Sequence, residues 1–287
     1  GERTPLASLH AAASGRMAVA EAITNLLAAP IELPRVKLSA NWMAACGEPG
    51  EDAALYETVK AVGLELCPAL GISIPVGKDS LSMRTQWTQP AANGAPAVAK
   101  KVTSPVSLIV SAFATLADVR GTLTPQLNAS EEDTTLVLID LGKGAKRMGG
   151  SMLAQTLNQA GGDVPDLHSP QDLVQLVNAI NALRAQGQIL AYHDRSDGGL
   201  LATVAEMAFA GHVGVSLNMD LLVTEGDGIA DSRMDVGDSK NWAGQVSARR
   251  DELTLKALFN EELGVVLQVR TAERNAVMQT LREHGLS

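Results

Sequence analysis

ILAYHDRSDGGLLATVAEMAFA (189–210) joins a short apolar strand to an apolar helix through a turn crowded with polar side chains and two glycines. Ile189 to Tyr192 reads as the strand, and His193, Asp194, Ser196 and Asp197 follow at once. Gly198 and Gly199 then open a helix over 200–210. The same alternation fills the surrounding sequence. A buried strand over 135–141 runs into GKGAKRMGG and a helix to about residue 160. Ser169 reads as the cap of the next helix, with Pro170 at its first position, where a missing N–H costs nothing. Leu173, Leu176, Val177, Ile180 and Leu183 form its inward stripe. An extended stretch is expected over 213–218, an acidic mobile excursion over 224–248, and a helix over 253–262. A strand over 264–270 and a helix from residue 271 close the pattern.

The N-terminal part is built differently. Leu9, Ala13, Ala20, Ile23 and Leu27 share one face of a helix expected over 8–29, closed by Pro30. Extended residues follow over 35–39. A second helix begins near Glu51, with Leu55, Val59, Val62 and Leu66 as its apolar stripe and Pro68 and Gly71 at its end. A short strand over 72–76 leads into GKDSLSM, residues 86–99 read as a loop, and 106–114 as a strand. The polar stretch 122–133, with Pro125 and an EED end, reads as a linker. The expected class is therefore α/β (α+β), with a domain over 1–122 and a second over 123–287.

Composition narrows the function. The 287 residues carry 23 Lys+Arg against 32 Asp+Glu, a formal charge of −9, which opposes binding to nucleic-acid phosphates. Aromatics are 3% of the chain, too few for base-stacking platforms to dominate. Cys46 and Cys67 form no CxxC pair and read as single buried thiols in a cytoplasmic protein. No apolar run reaches the ~20 residues of a membrane span.

Four polar clusters stand at element ends. Glu21 and Asn25 lie one helical turn apart and offer hard oxygen ligands suited to Mg²⁺, or form an ordinary exposed helix face. PVGKDSLSM places Gly77, Lys78 and Ser80 after a strand, where they suit phosphate oxygens or serve a plain turn. HDRSDGG presents Asp194 and Ser196 at a helix start, suited to phosphate and Mg²⁺, or acts as a helix cap. Glu261 and Glu262 precede a buried strand and are expected on a solvated helix end. LIDLGKGAKRMGG lacks the dinucleotide fingerprint, because Arg147 stands where the third glycine belongs.

Taken together, AEAITNL, LSANWM, GEDAALYE, IPVGKDSLSM, LIDLGKG, HDRSDGGLL and LFNEELG occur in an order that resembles one family. It is the second synthetase half of the large, single-chain phosphoribosylformylglycinamidine synthases, within the ATP-dependent superfamily of aminoimidazole ribonucleotide synthetase. The resemblance implies an A subdomain with a mixed sheet and helices, which pairs with another A subdomain, followed by an α/β B subdomain. It implies Glu21, Asn25 and Asp194 as Mg²⁺ ligands, Ser196, Lys78 and Gly77 as nucleotide contacts, and Ser80 as a substrate contact. Mg²⁺ and ATP or ADP are the implied cofactors.

In that family ATP phosphorylates the amide oxygen of formylglycinamide ribonucleotide, and ammonia from glutamine displaces phosphate. The implied partners are the first synthetase half, which carries the catalytic histidine, and the glutaminase domain. Neither lies in this sequence, so no catalytic residue is assigned and the chain is expected to be inactive alone, with a homodimer through the A subdomain as a substitute pairing. A non-catalytic assembly module and a free-standing ATP-dependent member of the superfamily are the alternatives.

Overall fold

The computed structural model describes residues 1–90, 96–224 and 242–286. The N-terminal region contains α1 (Thr4–Ala7), α2 (Ala11–Leu26), β1 (Lys37–Met43), α3 (Glu51–Val59), α4 (Cys67–Leu70), β2 (Ser73–Ser80), β3 (Arg84–Gln89), β4 (Val98–Thr103) and β5 (Ser107–Phe113). The C-terminal region contains β6 (Thr134–Asp140), α5 (Met152–Thr156), α6 (Pro170–Ala185), β7 (Ala191–Arg195), α7 (Gly199–Gly211), α8 (Met219–Thr224), α9 (Trp242–Phe259), β8 (Gly264–Arg270) and α10 (Arg274–Glu283). Among the described residues the sheets are β2-β1-β5, the β3-β4 hairpin and β6-β8-β7. β1 runs parallel to β2 and antiparallel to β5, and β8 is antiparallel to both its neighbours. The architecture is mixed α/β as expected, with the second sheet antiparallel despite the strand–helix alternation.

β8 shows how the core is divided. Val265, Leu267 and Val269 join a cluster with Leu173, Leu176 and Ile180 of α6 and with Met17 and Ile23 of α2. Val266, pointing to the other face, packs with Leu127, Leu200, Val204 and Met207. Successive strand side chains alternate between faces, so a run such as GVVLQV is required where both faces are covered. α2 packs on β5 and reaches β7, with most of its residues buried, which suits its alanine-rich sequence. It begins later than expected because His10 breaks the chain into an extended conformation and its Nδ1 accepts from the Ala13 N–H at 3.1 Å.

Several expectations change. β2 continues through Ser80, so Gly77 and Lys78 lie within a strand; β1 extends to Met43 and supplies a partner for each added residue. Residues 86–99 are not a loop throughout. Arg84–Gln89 pairs with Val98–Thr103, a segment rich in Thr, Val and Trp that favours strands. The helix expected up to residue 160 is only α5, because Gly149 and Gly150 donate to the carbonyls of Asp163 and Ala160 and fold the chain back. The second helix passes through a π-helical turn at Lys60–Leu66 just before Pro68, whose ring and missing N–H disfavour regular α geometry there.

β7 is displaced toward the C-terminus and includes His193, Asp194 and Arg195. α9 starts at Trp242, so the excursion read over 224–248 is helical in its last residues, and 225–241 lie outside the described residues. Residues 213–218 form no ladder, although Val213, Val215 and Leu217 pack on the second cluster. The stretch read as a linker is anchored. Thr124 accepts the Tyr192 N–H at 2.9 Å, and the Gln268 side chain bonds both backbone groups of Asn128.

Candidate functional site

β7 carries two side chains in succession toward α2. The Tyr192 hydroxyl, in the core, donates to the Thr24 carbonyl at 2.6 Å and fixes the strand against the helix. Two residues further, Asp194 meets Asn25, whose Nδ2 is 3.4 Å from Asp194 Oδ1. Ser196 Oγ donates to Glu21 Oε1, one helical turn before Asn25. Residues 169 and 175 positions apart in sequence thus face each other across one gap.

The gap is an open cleft of about 500 Å³, whose walls include Glu21, Asn25, His193, Asp194, Ser196 and Asp197. Glu2 and Glu206 also line it, so carboxylates dominate its charge. His193 bridges two of them, with Nδ1 3.3 Å from Asp194 and Nε2 2.7 Å from Glu206. The hydrogen bond to Asp194, opposed by burial and joined by Glu206, raises the imidazole above its ordinary value.

A second layer supports the walls. Arg3 is buried and its guanidinium lies 3.9 Å from Glu21, 3.9 Å from Asp197 and 3.1 Å from Glu261. Glu261 Oε1 accepts the N–H groups of Met152 and Gly198, each at 2.8 Å. Burial pushes the Glu261 carboxyl up, against the lowering pull of Arg3 and the two amides. The expectation of a solvated helix end is therefore overturned: Glu261 and Glu262 are each 1% exposed. They stand one residue, Leu263, before a strand covered on both faces, which carries them inside. Glu262 pairs with Arg147 at 2.7 Å.

The glycines of the turn have packing reasons. Gly198 and Gly199 have φ of +80° and +67°, and a Cβ on Gly199 would sit 2.5 Å from the Asn260 carbonyl oxygen. α7 can approach the end of α9 only with glycine there.

Glu21, Asn25, Asp194 and Ser196 are brought together; Gly77, Lys78 and Ser80 are not. Gly77 and Lys78 line a separate cavity of about 390 Å³ with Trp42, Leu55, Val59 and Asp79. Ser80 ends β2, where its carbonyl accepts the Ala44 N–H. The donor chemistry of the cleft fits Mg²⁺, which takes one or two carboxylates and leaves its other positions to water and phosphate. Among the described residues no group of three or more His, Cys, Asp or Glu forms an all-protein cage, so such an ion would need oxygen from its ligand. Sequence reasoning missed Arg3 and Glu206 altogether. Arg3 sits in a polar leader with no periodicity to mark it.

The family profile described as "FGAR-AT PurM_N-like domain" matches residues 1–115, and that described as "AIR synthase related protein, C-terminal domain" matches residues 133–287. Among solved structures, T. maritima PurL complexed with ATP superposes with a TM-score of 0.56 at 11% identity, over 100% of this chain and 38% of that one. T. maritima PurL complexed with FGAR gives 0.57 at 12% identity, over 99% and 39%. E. coli HypE, a hydrogenase maturation protein, gives 0.51 at 17% identity, over 94% and 69%. At these identities the likeness is one of fold. The chain spans little more than a third of the length of PurL. Among the described residues no helix is long and apolar enough to cross a membrane.

Proposed function

We propose that this chain, which belongs to the AIR synthase-related proteins, binds a magnesium–nucleotide complex in the acidic cleft and acts as the second synthetase half of a phosphoribosylformylglycinamidine synthase. The observation that carries the reading is the meeting of Glu21 and Asn25 on α2 with Asp194 and Ser196 at the end of β7. A polyphosphate entering a cleft lined by carboxylates is repelled unless a divalent cation accompanies it. Glu21, Asp194 and the Asn25 amide oxygen are the groups to hold that cation, and the Ser196 hydroxyl is placed to contact the nucleotide. The bound metal would supply charge neutralisation of the phosphates.

In this reading the site is auxiliary and the chain alone is silent. The profile match over residues 1–115 supports the synthase assignment over other members of the family. Lys78 and Gly77, with Ser80, then act away from the cleft, on phosphate or substrate held between this chain and its partner. The exposure of Val76, Trp87, Val98 and Val102 on β2, β3 and β4 supports pairing there, with the first synthetase half or with a second copy.

Calorimetric titration with Mg·ATP and Mg·ADP tests the assignment. Saturable binding is expected, weakened at least about tenfold by Asp194→Ala, with a nucleotide-dependent rise in Tm that the variant loses. No binding by the wild-type chain rejects the reading. A second reading, a free-standing ATP-dependent enzyme, is favoured by the larger share of HypE that the chain spans. ATP turnover by the chain alone, as a homodimer by light scattering, would select it.

A further inference from the structure

We propose that Glu261 is the positioning residue of the acidic cleft, and that it acts from behind the wall by clamping the Asp194–Gly199 turn to Arg3 and to the start of α5. This rests on the reading of the cleft as a cation–phosphate site. Neither Glu261 nor Arg3 lines the cleft. Glu261 is 1% exposed, and each of its oxygens has a defined partner. Oε1 takes the N–H of Gly198, the residue that caps α7, and the N–H of Met152, the first residue of α5. Oε2 takes Arg3 Nη2 at 3.1 Å. Arg3 in turn faces Glu21 from one wall and Asp197 from the other.

The consequence is geometric. Asp194 and Ser196 lie on a strand end and a turn with two left-handed glycines, a backbone with many alternatives once released. A carboxylate bound to the Gly198 amide holds the far end of that turn, while the Tyr192 hydroxyl holds the near end on α2. The separation between the Asp194–Ser196 wall and the Glu21–Asn25 wall is thereby fixed before any ligand enters. Arg3 adds a buried positive charge that both walls share, which limits repulsion between their carboxylates. Groups that orient ligating side chains in this way are commonly worth about ten- to a hundredfold in metal affinity.

The test compares Glu261→Ala, Glu261→Gln and Glu262→Gln with the wild-type chain. Glu262 is equally buried, but its carboxylate pairs with Arg147, and it meets the cleft turn through its backbone carbonyl, which accepts from Arg195 and which Glu262→Gln leaves in place. Expected in Glu261→Ala are accelerated amide hydrogen exchange at Gly198 and Met152 and Mg·ATP binding weakened about tenfold or more. Glu261→Gln keeps an oxygen acceptor for both amides, so it should retain their protection and recover part of the affinity. It also carries the test if the alanine variant does not fold. Glu262→Gln should leave both readouts near wild type. Wild-type binding that survives in folded Glu261→Ala, or that falls equally in Glu262→Gln, overturns the positioning role alone. A wild-type chain that binds no Mg·ATP overturns the reading of the cleft, and this role with it.

Discussion

Asp140 ends β6 and receives the Arg195 guanidinium together with the N–H groups of Gly142 and Gly144. Burial works to raise its carboxyl, but Arg195 and the two amides outweigh burial and hold it below the usual range. The native state therefore binds the Asp140 proton more weakly than the unfolded chain. Its contribution to stability is fully present above the unfolded value of about 4 and is lost as pH falls through the depressed native value. Arg195 is 2% exposed, so Asp140→Asn strands a buried charge, and a loss of about 2–3 kcal/mol at pH 7 is expected. Denaturant titrations at several pH values check this. The gap between the two proteins should begin to narrow as pH falls below about 4, and a gap constant from pH 7 to pH 3 contradicts the assignment. His193 shows what sequence leaves open at this scale. A strand-end histidine reads as a satisfied structural group, and only the fold shows that both its ring nitrogens face carboxylates of one cleft.

At the scale of elements, α7 depends on its cap Gly198 and its first residue Gly199. Both have positive φ, but their surroundings differ: a Cβ on Gly198 meets only the Ala202 side chain, whereas one on Gly199 meets the backbone oxygens of Asn260 and Leu258. Gly199→Ala should cost about 2–4 kcal/mol, from strain plus displacement of α7 from the end of α9. Gly198→Ala should cost about 1–2 kcal/mol, chiefly from backbone strain. Chemical denaturation that ranks the two the other way would contradict this packing. Periodicity marked most of the elements, because α6, α7 and β8 bury continuous stripes that leave a repeat in the sequence. It was silent for β3 and β4, whose side chains are almost all exposed and carry no apolar alternation. The polar groups of the cleft at a helical spacing and at a strand end were legible, since each lies within a local motif. Their meeting was not, because it comes from tertiary packing of α2 against the second sheet and α6, with the Tyr192 hydroxyl on the Thr24 carbonyl as its nearest tie.

On the scale of the whole molecule, the chain order suggests two units, yet the main apolar core does not divide between residues 122 and 123. Leu6, Met17, Ile23 and Leu38 share one cluster with Leu173, Leu176, Ile180 and Leu267. Polar contacts cross at the same place. Arg16 holds Asp166 in a two-pronged contact at 2.8 and 2.7 Å, and Asn181 donates to the Ile31 carbonyl at 2.9 Å. Arg184 reaches the carbonyls of Leu27 and Ala28 at the end of α2. The cleft lies along this junction, since Glu21 and Asn25 come from one side of it and Asp194 and Ser196 from the other. Units that share their largest buried side chains cannot unfold in turn without exposing the survivor's core, a cost that couples them into one transition. Differential scanning calorimetry should accordingly give a single peak with equal calorimetric and van't Hoff enthalpies. Mg·ATP should move that peak upward as a whole, because any opening of the junction dismantles the cleft. Two resolved peaks, with only one moved by nucleotide, would show that the ligand is held by one side and that α2 contributes nothing to it.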